Sequence, residues 1–112
     1  METTLNVKNT SLTEAMKAYI EAKISKRVLK VMGSKRAQEA VLAVEVGLST
    51  RHHRKGAVWQ AKATLREGKT VLRAESQGES FEEAVDFLEE EFLGEIKKSK
   101  GKGDAVERRG AR

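Results

Sequence analysis

The residue types most often used in catalysis are scarce in this sequence. The chain contains no cysteine, and its two histidines, His52 and His53, are adjacent. Neighbouring side chains of an extended segment point in opposite directions, so these two imidazoles cannot both face one metal ion or one substrate. The sequence also has no glycine-rich phosphate loop and no carboxylate pair flanked by a candidate acid or base. We therefore predict no catalytic site, no metal site and no cofactor, and we expect both histidines in a surface loop.

Basic residues at regular spacing are the stronger chemical signal. The chain has 22 basic and 17 acidic residues, a formal net charge of +5 and a pI of about 9.6, which favour a polyanionic partner. Like charges at helical spacing repel one another, and the phosphates of a nucleic acid neutralise them. A solvated helix face is the alternative interpretation. Four basic residues recur at i, i+3, i+4 and i+7, and we name them the basic stripe: Lys23, Lys26, Arg27 and Lys30.

Two further basic groups lie in the middle of the chain. Arg54 and Lys55 belong to a basic loop between two predicted strands. If Glu67-Gly68 forms a two-residue turn, Lys62 lies directly opposite Arg73 in the hairpin that follows. Because directly opposed like charges destabilise a sheet, this predicted pair also favours a bound polyanion.

Acids and bases are segregated toward the C-terminus. Residues 79–96 carry eight acids and no base, whereas residues 97–112 carry seven bases and two acids. An acidic start and a basic end match the positive and negative ends of a helix dipole. The acidic start also argues against a double-stranded-RNA-binding domain, which places lysines at the beginning of its last helix. The basic end includes Lys97, Lys98 and Lys100, which suit the negative end of the dipole.

The hydrophobic pattern predicts the elements that carry these residues. Leu5 and Val7 alternate with polar neighbours, as in a short strand. Ser11 begins a capping-box pattern, and apolar residues at helical spacing then continue to about Met32. Gly33 is a typical residue for the end of that helix.

Three strands follow the first helix. Apolar residues alternate from about Ala40, and two more strands cover about 57–66 and 69–76. The alternation places small and apolar residues of the last two strands on one face, which is consistent with a buried hairpin. These residues are Ala61, Ala63, Leu65, Leu72 and Ala74.

A second capping box at Ser80 begins the last helix, whose apolar stripe includes Phe81 and Phe92. The order βαβββα predicts an α+β fold in which two helices pack on one face of a four-stranded, mainly antiparallel sheet. We expect residues 1–100 to form this domain. Residues 101–112 are poor in apolar side chains and are expected to form a flexible basic tail.

Aromatic residues make up only 4% of the chain, and the predicted core uses most of them. Trp59 falls on the same strand face as Ala61, and Tyr19 lies on the apolar stripe of the first helix. Proteins that bind single strands stack bases on exposed aromatic rings. We therefore expect recognition of the backbone and shape of folded RNA.

Three segments of the chain resemble the bacterial ribosome hibernation promoting factor and ribosome-associated inhibitor family, also called sigma modulation proteins. LTEAMKAYIEAKISK resembles the first helix of that family, and AKATL is similar to its third strand. VLRAESQGESFEEAVDFLEEEF resembles the passage from its last strand into its last helix, which ends in basic residues as this one does. The resemblance therefore adds Lys97, Lys98 and Lys100 to the predicted RNA-binding set. The resemblance covers about residues 3–102, with departures at Ser80-Phe81-Glu82, Gln60 and Gly94.

The resemblance implies a short-form, non-enzymatic factor that acts under stress or in stationary phase. Such a protein binds the small ribosomal subunit in the channel of messenger RNA and tRNA, contacts ribosomal RNA and inhibits translation. We accordingly expect a cytoplasmic protein, monomeric when free, with no membrane partner and no small-molecule substrate. Two alternatives remain: a structured-RNA-binding module that does not bind ribosomes, and an adaptor whose protein partner contacts the acidic helix.

Overall fold

The structure, a computed structural model, describes the backbone of residues 1–50 and 57–110. Within these ranges it describes all side chains except those of residues 34, 50, 57 and 100–110. The strands are β1 (Glu2–Lys8), β2 (Ala40–Thr50), β3 (Ala57–Glu67) and β4 (Thr70–Gly78). The helices are α1 (Glu14–Ile20), α2 (Lys26–Met32), α3 (Ser34–Ala37) and α4 (Phe81–Gly110), with a π-helical turn over Glu21–Ser25. This order confirms the predicted α+β fold.

The four strands form one sheet in the order β1-β2-β3-β4. β1 runs parallel to β2, and the remaining pairs are antiparallel. A parallel neighbour needs a long crossover connection, which the helical segments between β1 and β2 provide. The other strands are joined through shorter connections, as antiparallel pairing allows. The helices cover one face of this mainly antiparallel sheet, and the opposite face is exposed.

The core lies between the covered face of the sheet and the helices. β2 contributes Leu42, Val44 and Val46, and β3 contributes the smaller Ala61 and Ala63, all at most 2% exposed. Burial of one large aliphatic or aromatic side chain stabilises the fold by about 1.5–3 kcal/mol. The α4 stripe therefore supplies much of the stability, since five of its large side chains are almost completely buried: Phe81, Val85, Leu88, Phe92 and Ile96.

The helical backbone from residue 14 to residue 32, which we call the first helix, is continuous through the π-helical turn. Its fully buried residues recur every four positions: Ile20, Ile24, Val28 and Met32. In an α-helix, each step of four residues rotates the side chain by about 40° beyond a full turn. The Lys26 N–H bonds to the Glu21 carbonyl, and this wider turn reduces the rotation. The π turn thus keeps one four-residue row facing the sheet.

The first helix begins two residues later than the sequence predicts. The N-cap is Thr13, whose Oγ1 accepts a hydrogen bond from Met16 N at 3.1 Å. The predicted cap at Ser11 is wrong because residues 11–13 are not helical, and the hydroxyl of Thr13 satisfies the N–H that would otherwise lack a partner. Gly33 ends the helix as predicted, with a φ of 84° that favours glycine.

The single-turn helix α3 has no periodicity that sequence analysis could detect. It is tied to the end of β3 by Arg36, whose Nε donates to Glu67 Oε2 at 2.9 Å and whose Nη2 donates to Oε1 at 2.6 Å. The two hydrogen bonds lower the pKa of the Glu67 carboxyl and raise that of the Arg36 guanidinium. Because the pair joins α3 to the tip of the hairpin, it orients the segment that leads into β2.

The hairpin turn lies one residue later than predicted. Glu67 pairs with Thr70, so the turn residues are Gly68 and Lys69. Gly68 has a φ of 59°, and a type II′ turn requires glycine at its first central position. The predicted turn at Glu67-Gly68 is therefore wrong, because it places the glycine second.

Moving the turn by one residue shifts every cross-strand pair of the hairpin by two. Lys62 lies opposite Glu75 on β4 and opposite Glu45 on β2, while Arg73 lies opposite Thr64. The predicted repulsion between Lys62 and Arg73 is therefore wrong. A shift of two residues leaves every side chain on the same face, so the predicted buried face is confirmed.

The last helix begins at the predicted capping box. Ser80 Oγ accepts a hydrogen bond from Glu83 N at 3.1 Å, and Glu83 Oε1 accepts one from Glu79 N at 3.1 Å. The helix continues to Gly110, beyond the end near residue 100 that the sequence predicts. Glycine lowers helix stability without forbidding a helix, and the chain has no proline to end it. The division into a domain and a flexible tail stays a prediction.

The start of α4 lies unusually close to the end of β4. Ser76 Oγ donates a hydrogen bond to the Ala84 carbonyl at 2.6 Å. A Cβ atom at Gly78 would lie only 2.6 Å from Ala84 N, a separation that forces the backbone to shift. The absence of a side chain at residue 78 thus lets the helix dock on the sheet.

We expect Gly78→Ala to destabilise the protein by about 1–3 kcal/mol, since the added methyl group overpacks this contact. Gly94→Ala is a matched control, because a Cβ at this position would meet nothing within 4 Å apart from the backbone of its own helix. The control is expected to gain up to about 1 kcal/mol from improved helix propensity. Chemical denaturation measures both changes, and equal stabilities of the two variants would contradict the close approach.

The corrected register makes a second prediction about stability. Lys62 has a carboxylate on each neighbouring strand, so Lys62→Gln is expected to destabilise the sheet by about 0.2–0.5 kcal/mol at low salt. Arg73→Gln is the control, because its cross-strand neighbour is the uncharged Thr64. Thermal melts at low and high salt measure the difference. A Lys62→Gln variant as stable as the wild type, or more stable, would contradict this register.

Candidate nucleic-acid interface

The π turn and α2 place the basic stripe on the side of the first helix that adjoins α4. Lys26, Arg27 and Lys30 are exposed, and Lys23 is half-buried. Two of these residues pair with acids of α4. The stripe therefore has an inner part, Lys23 and Arg27, and an outer part, Lys26 and Lys30.

The acidic side chains of α4 that face the first helix form ion pairs with the inner residues. Lys23 Nζ lies 3.7 Å from Asp86 Oδ1 and 3.9 Å from Glu89 Oε1, and Arg27 Nη1 lies 3.8 Å from Glu89 Oε2. We name these four residues the charged seam. All three distances exceed those of charge-assisted hydrogen bonds, so the contacts are electrostatic and loosely oriented. The seam gives part of the α4 acid a role in holding the two helices together.

Tyr19 joins the charged seam to the core. Its hydroxyl donates a hydrogen bond to Asp86 Oδ1 at 2.5 Å, and Lys23 Nζ lies 5.7 Å from the centre of its ring. The ring centroid lies 6.0 Å from that of Phe81, which contacts Trp59 edge-on at 5.6 Å. Trp59 packs against the core as predicted, and the three rings link the first helix, α4 and β3.

Glu89 is unusual among the carboxylates of this surface. Only 16% of its side chain is exposed, and its Oε2 atom is buried without a hydrogen-bond donor. A buried polar atom that lacks a hydrogen bond costs about 1–3 kcal/mol. The Arg27 guanidinium is close to this atom, with Nη1 at 3.8 Å, but beyond hydrogen-bond distance.

A groove of about 540 Å³ runs between the first helix and α4, beside the charged seam. Lys97 lines the same groove, so the structure brings a lysine from the basic end of α4 close to Lys23 and Arg27. Glu90, Leu93 and Gly94 complete its walls. Three predicted RNA-binding residues thus share one groove with three carboxylates.

The remaining described candidates lie elsewhere. Lys62 and Arg73 project from the exposed face of the sheet, on the side opposite the helices, because their strand neighbours fill the core. Lys98 is exposed on α4, with its Nζ atom 3.9 Å from Glu95 Oε1. The predicted set therefore does not form one continuous surface.

Some predicted residues cannot be placed. His52, His53, Arg54 and Lys55 lie outside the described residues, and for Lys100 only the helical backbone is described. Among the side chains that the structure describes, no group of three or more potential metal ligands is arranged to hold an ion. No helix in that part of the chain is both long enough and apolar enough to cross a membrane.

Sequence analysis missed the charged seam, although its signal was present. Lys23 and Arg27 have a spacing of four residues next to one apolar stripe, and Asp86 and Glu89 have a spacing of three next to another. Two helices on the same sheet face can bring such flanking pairs together. The helix dipole explained the acids at the start of α4 but not those farther along it.

The Tyr19–Asp86 hydrogen bond, aided by desolvation, raises the pKa of the Tyr19 hydroxyl to about 12. The ordinary value is about 10, so the bond stabilises the folded state below that pH. As the pH rises through about 12, the phenol ionises and this stabilisation is lost.

Because the chain has one tyrosine, the ultraviolet absorbance of tyrosinate reports this group alone. We expect Asp86→Asn to lower the pKa of Tyr19 toward the ordinary value, since an amide accepts the hydrogen bond without a negative charge. Glu91→Gln is the control and should leave the titration unchanged. Equal midpoints for wild type and Asp86→Asn would refute the contact.

Two solved structures have folds similar to this one. The N-terminal domain of Protein Y from Thermus thermophilus has 19% sequence identity and a TM-score of 0.62, and the match covers 88% of this chain and 98% of that one. A ribosomal subunit interface protein from Coxiella burnetii has 14% identity and a TM-score of 0.67, with coverage of 90% and 99%. At these identities the similarity concerns the fold alone.

No curated protein matches the sequence. Residues 3–103, however, match the family model described as Sigma 54 modulation protein / S30EA ribosomal protein. That match extends from β1 through the sheet and into α4 as far as residue 103. The chain therefore belongs to the Sigma 54 modulation protein / S30EA ribosomal protein family.

Proposed function

We propose that this protein associates with the ribosome and acts as a hibernation factor in the cytoplasm. It binds the small subunit in the channel of messenger RNA and tRNA, contacts ribosomal RNA and inhibits translation under stress or in stationary phase. The observation that carries the proposal is the family match over residues 3–103 of a strongly basic chain. The structural neighbour from Coxiella burnetii is a ribosomal subunit interface protein, and this supports the same partner.

Exposed lysines on the helical side of the molecule are the residues we propose for RNA contact. Lys26 and Lys30 project from the first helix, and Lys97 and Lys98 project from α4. An exposed ammonium group can exchange water and counterions for phosphate at little cost. Lys62 and Arg73 were included because of their predicted mutual repulsion, and neither residue faces a like charge across the hairpin. Their contribution rests on charge alone.

The adaptor alternative is weakened by the charged seam. An acidic helix that recruits a basic partner protein needs its carboxylates free. Asp86 and Glu89 instead face Lys23 and Arg27 of the same chain. The side of α4 nearest the first helix is therefore already occupied.

Co-sedimentation with ribosomes on a sucrose gradient tests the proposal. We expect the protein in the small-subunit and whole-ribosome fractions at low salt, together with inhibition of translation in vitro. If about six phosphates are neutralised, affinity should fall by about three orders of magnitude between about 50 and 200 mM salt. A protein that stays at the top of the gradient at low salt, with ribosomes in excess, would refute the function.

A charge-matched pair of variants tests the surface. Lys26→Gln/Lys30→Gln should weaken ribosome binding, whereas Lys35→Gln/Lys69→Gln removes the same charge from exposed positions outside the proposed set. Equal losses in both would show that only net charge matters.

A further inference from the structure

To bind RNA, the cations of the charged seam must exchange their carboxylate partners for phosphates. Lys23 and Arg27 belong to the predicted RNA-binding stripe, yet both face carboxylates of α4 at 3.7–3.9 Å. A phosphate that approached either cation would meet a negative charge already in place. RNA must therefore displace Asp86 and Glu89 before it can use the inner part of the stripe.

We propose that Asp86 and Glu89 keep the binding of non-cognate RNA weak by competing with its phosphates for Lys23 and Arg27. This inference rests on the proposed function, because it concerns how a ribosome-binding surface avoids other RNA. A non-cognate RNA contacts only the outer residues Lys26 and Lys30 and is bound weakly. The ribosomal site supplies enough additional contacts to draw Lys23 and Arg27 away from the two carboxylates, while Asp86 keeps its hydrogen bond from Tyr19.

Three observations support exchange over a rigid structural role. The three ion-pair distances are longer than hydrogen bonds, so the cations are held loosely. Glu89 Oε2 is buried without a donor, which makes this carboxylate costly for the fold. Arg27 keeps 56% of its side chain exposed and Lys23 keeps 39%, so both can turn toward a ligand in the groove.

The groove geometry is consistent with this exchange. It lies between the two helices, and Lys97 and Glu90 both line its α4 side. A phosphate that enters this space has three cations within reach once the carboxylates are displaced. Asp86 and Glu89 occupy the positions beside the cations that RNA phosphates would take. Their negative charge repels RNA that makes no further contacts with the protein.

Glu89→Gln and Glu91→Gln form a matched pair for the test. Both substitutions remove one negative charge from α4 by the same chemistry, and the two positions are separated by a single residue. Glu91 is exposed and has no ion pair in the described part of the chain. Residues two apart on a helix do not face each other, so Glu91→Gln should act weakly on the seam.

The probe is a non-ribosomal RNA duplex of about 20 base pairs, titrated by fluorescence anisotropy. We expect Glu89→Gln to bind it about 2- to 5-fold more tightly than the wild type. The salt dependence should steepen by about one released counterion. Glu91→Gln should change affinity by less than about 2-fold, and Asp86→Asn should act in the same direction as Glu89→Gln through Lys23. Ribosome affinity should rise as well, because the ribosomal site no longer competes with the Glu89 carboxylate for Arg27 and Lys23.

An equal effect of Glu89→Gln and Glu91→Gln on duplex affinity would overturn the proposal, because the net charge of the protein would then explain the change. Weaker duplex binding by Glu89→Gln would also overturn it, because Glu89 would then position Arg27 for RNA. Undetectable duplex binding by all proteins at low salt would exclude competition as well. Since this assay contains no ribosomes, its outcome is separate from the sucrose-gradient result, and either proposal can fail alone. Circular dichroism verifies that each variant is folded.

Discussion

The packing of α4 on β3 and β4 is the contact on which the rest of the structure depends. Its apolar stripe is buried almost completely, and no polar or charged residue of the described chain is fully buried beside it. The helix can approach this closely only because Gly78 presents no side chain to Ala84. Once the stripe is buried, the rotation of α4 is determined, and so is the direction of each of its charged residues.

That rotation explains the unequal distribution of charge in a basic protein. Asp86 and Glu89 lie beside the buried stripe and meet Lys23 and Arg27, whereas Glu90 and Glu91 are exposed. The seam neutralises part of the basic stripe within the molecule. A basic surface without such acids would attract any polyanion, because phosphate contacts carry little sequence information.

Much of the fold followed from local patterns in the sequence. Alternation identified the buried faces of β2, β3 and β4, and helical spacing identified both apolar stripes, because burial depends on periods of 2 and 3.6 that are visible along one chain. Ser80 and Gly33 were recognised correctly as the start and end of helices, since capping is also local. The basic stripe was likewise visible as a set of residues on one helix face.

Tertiary structure alone decided which residues became neighbours. The observed pairing of Glu67 with Thr70 moved the hairpin turn by one residue and every cross-strand pair by two, so Lys62 lies between carboxylates and not opposite Arg73. The charged seam joins residues more than sixty positions apart, and no local pattern specifies that distance. Sequence therefore determined which face each side chain occupies, because that depends on short-range periodicity. Register and helix docking determined its partners, because these depend on how separate elements pack.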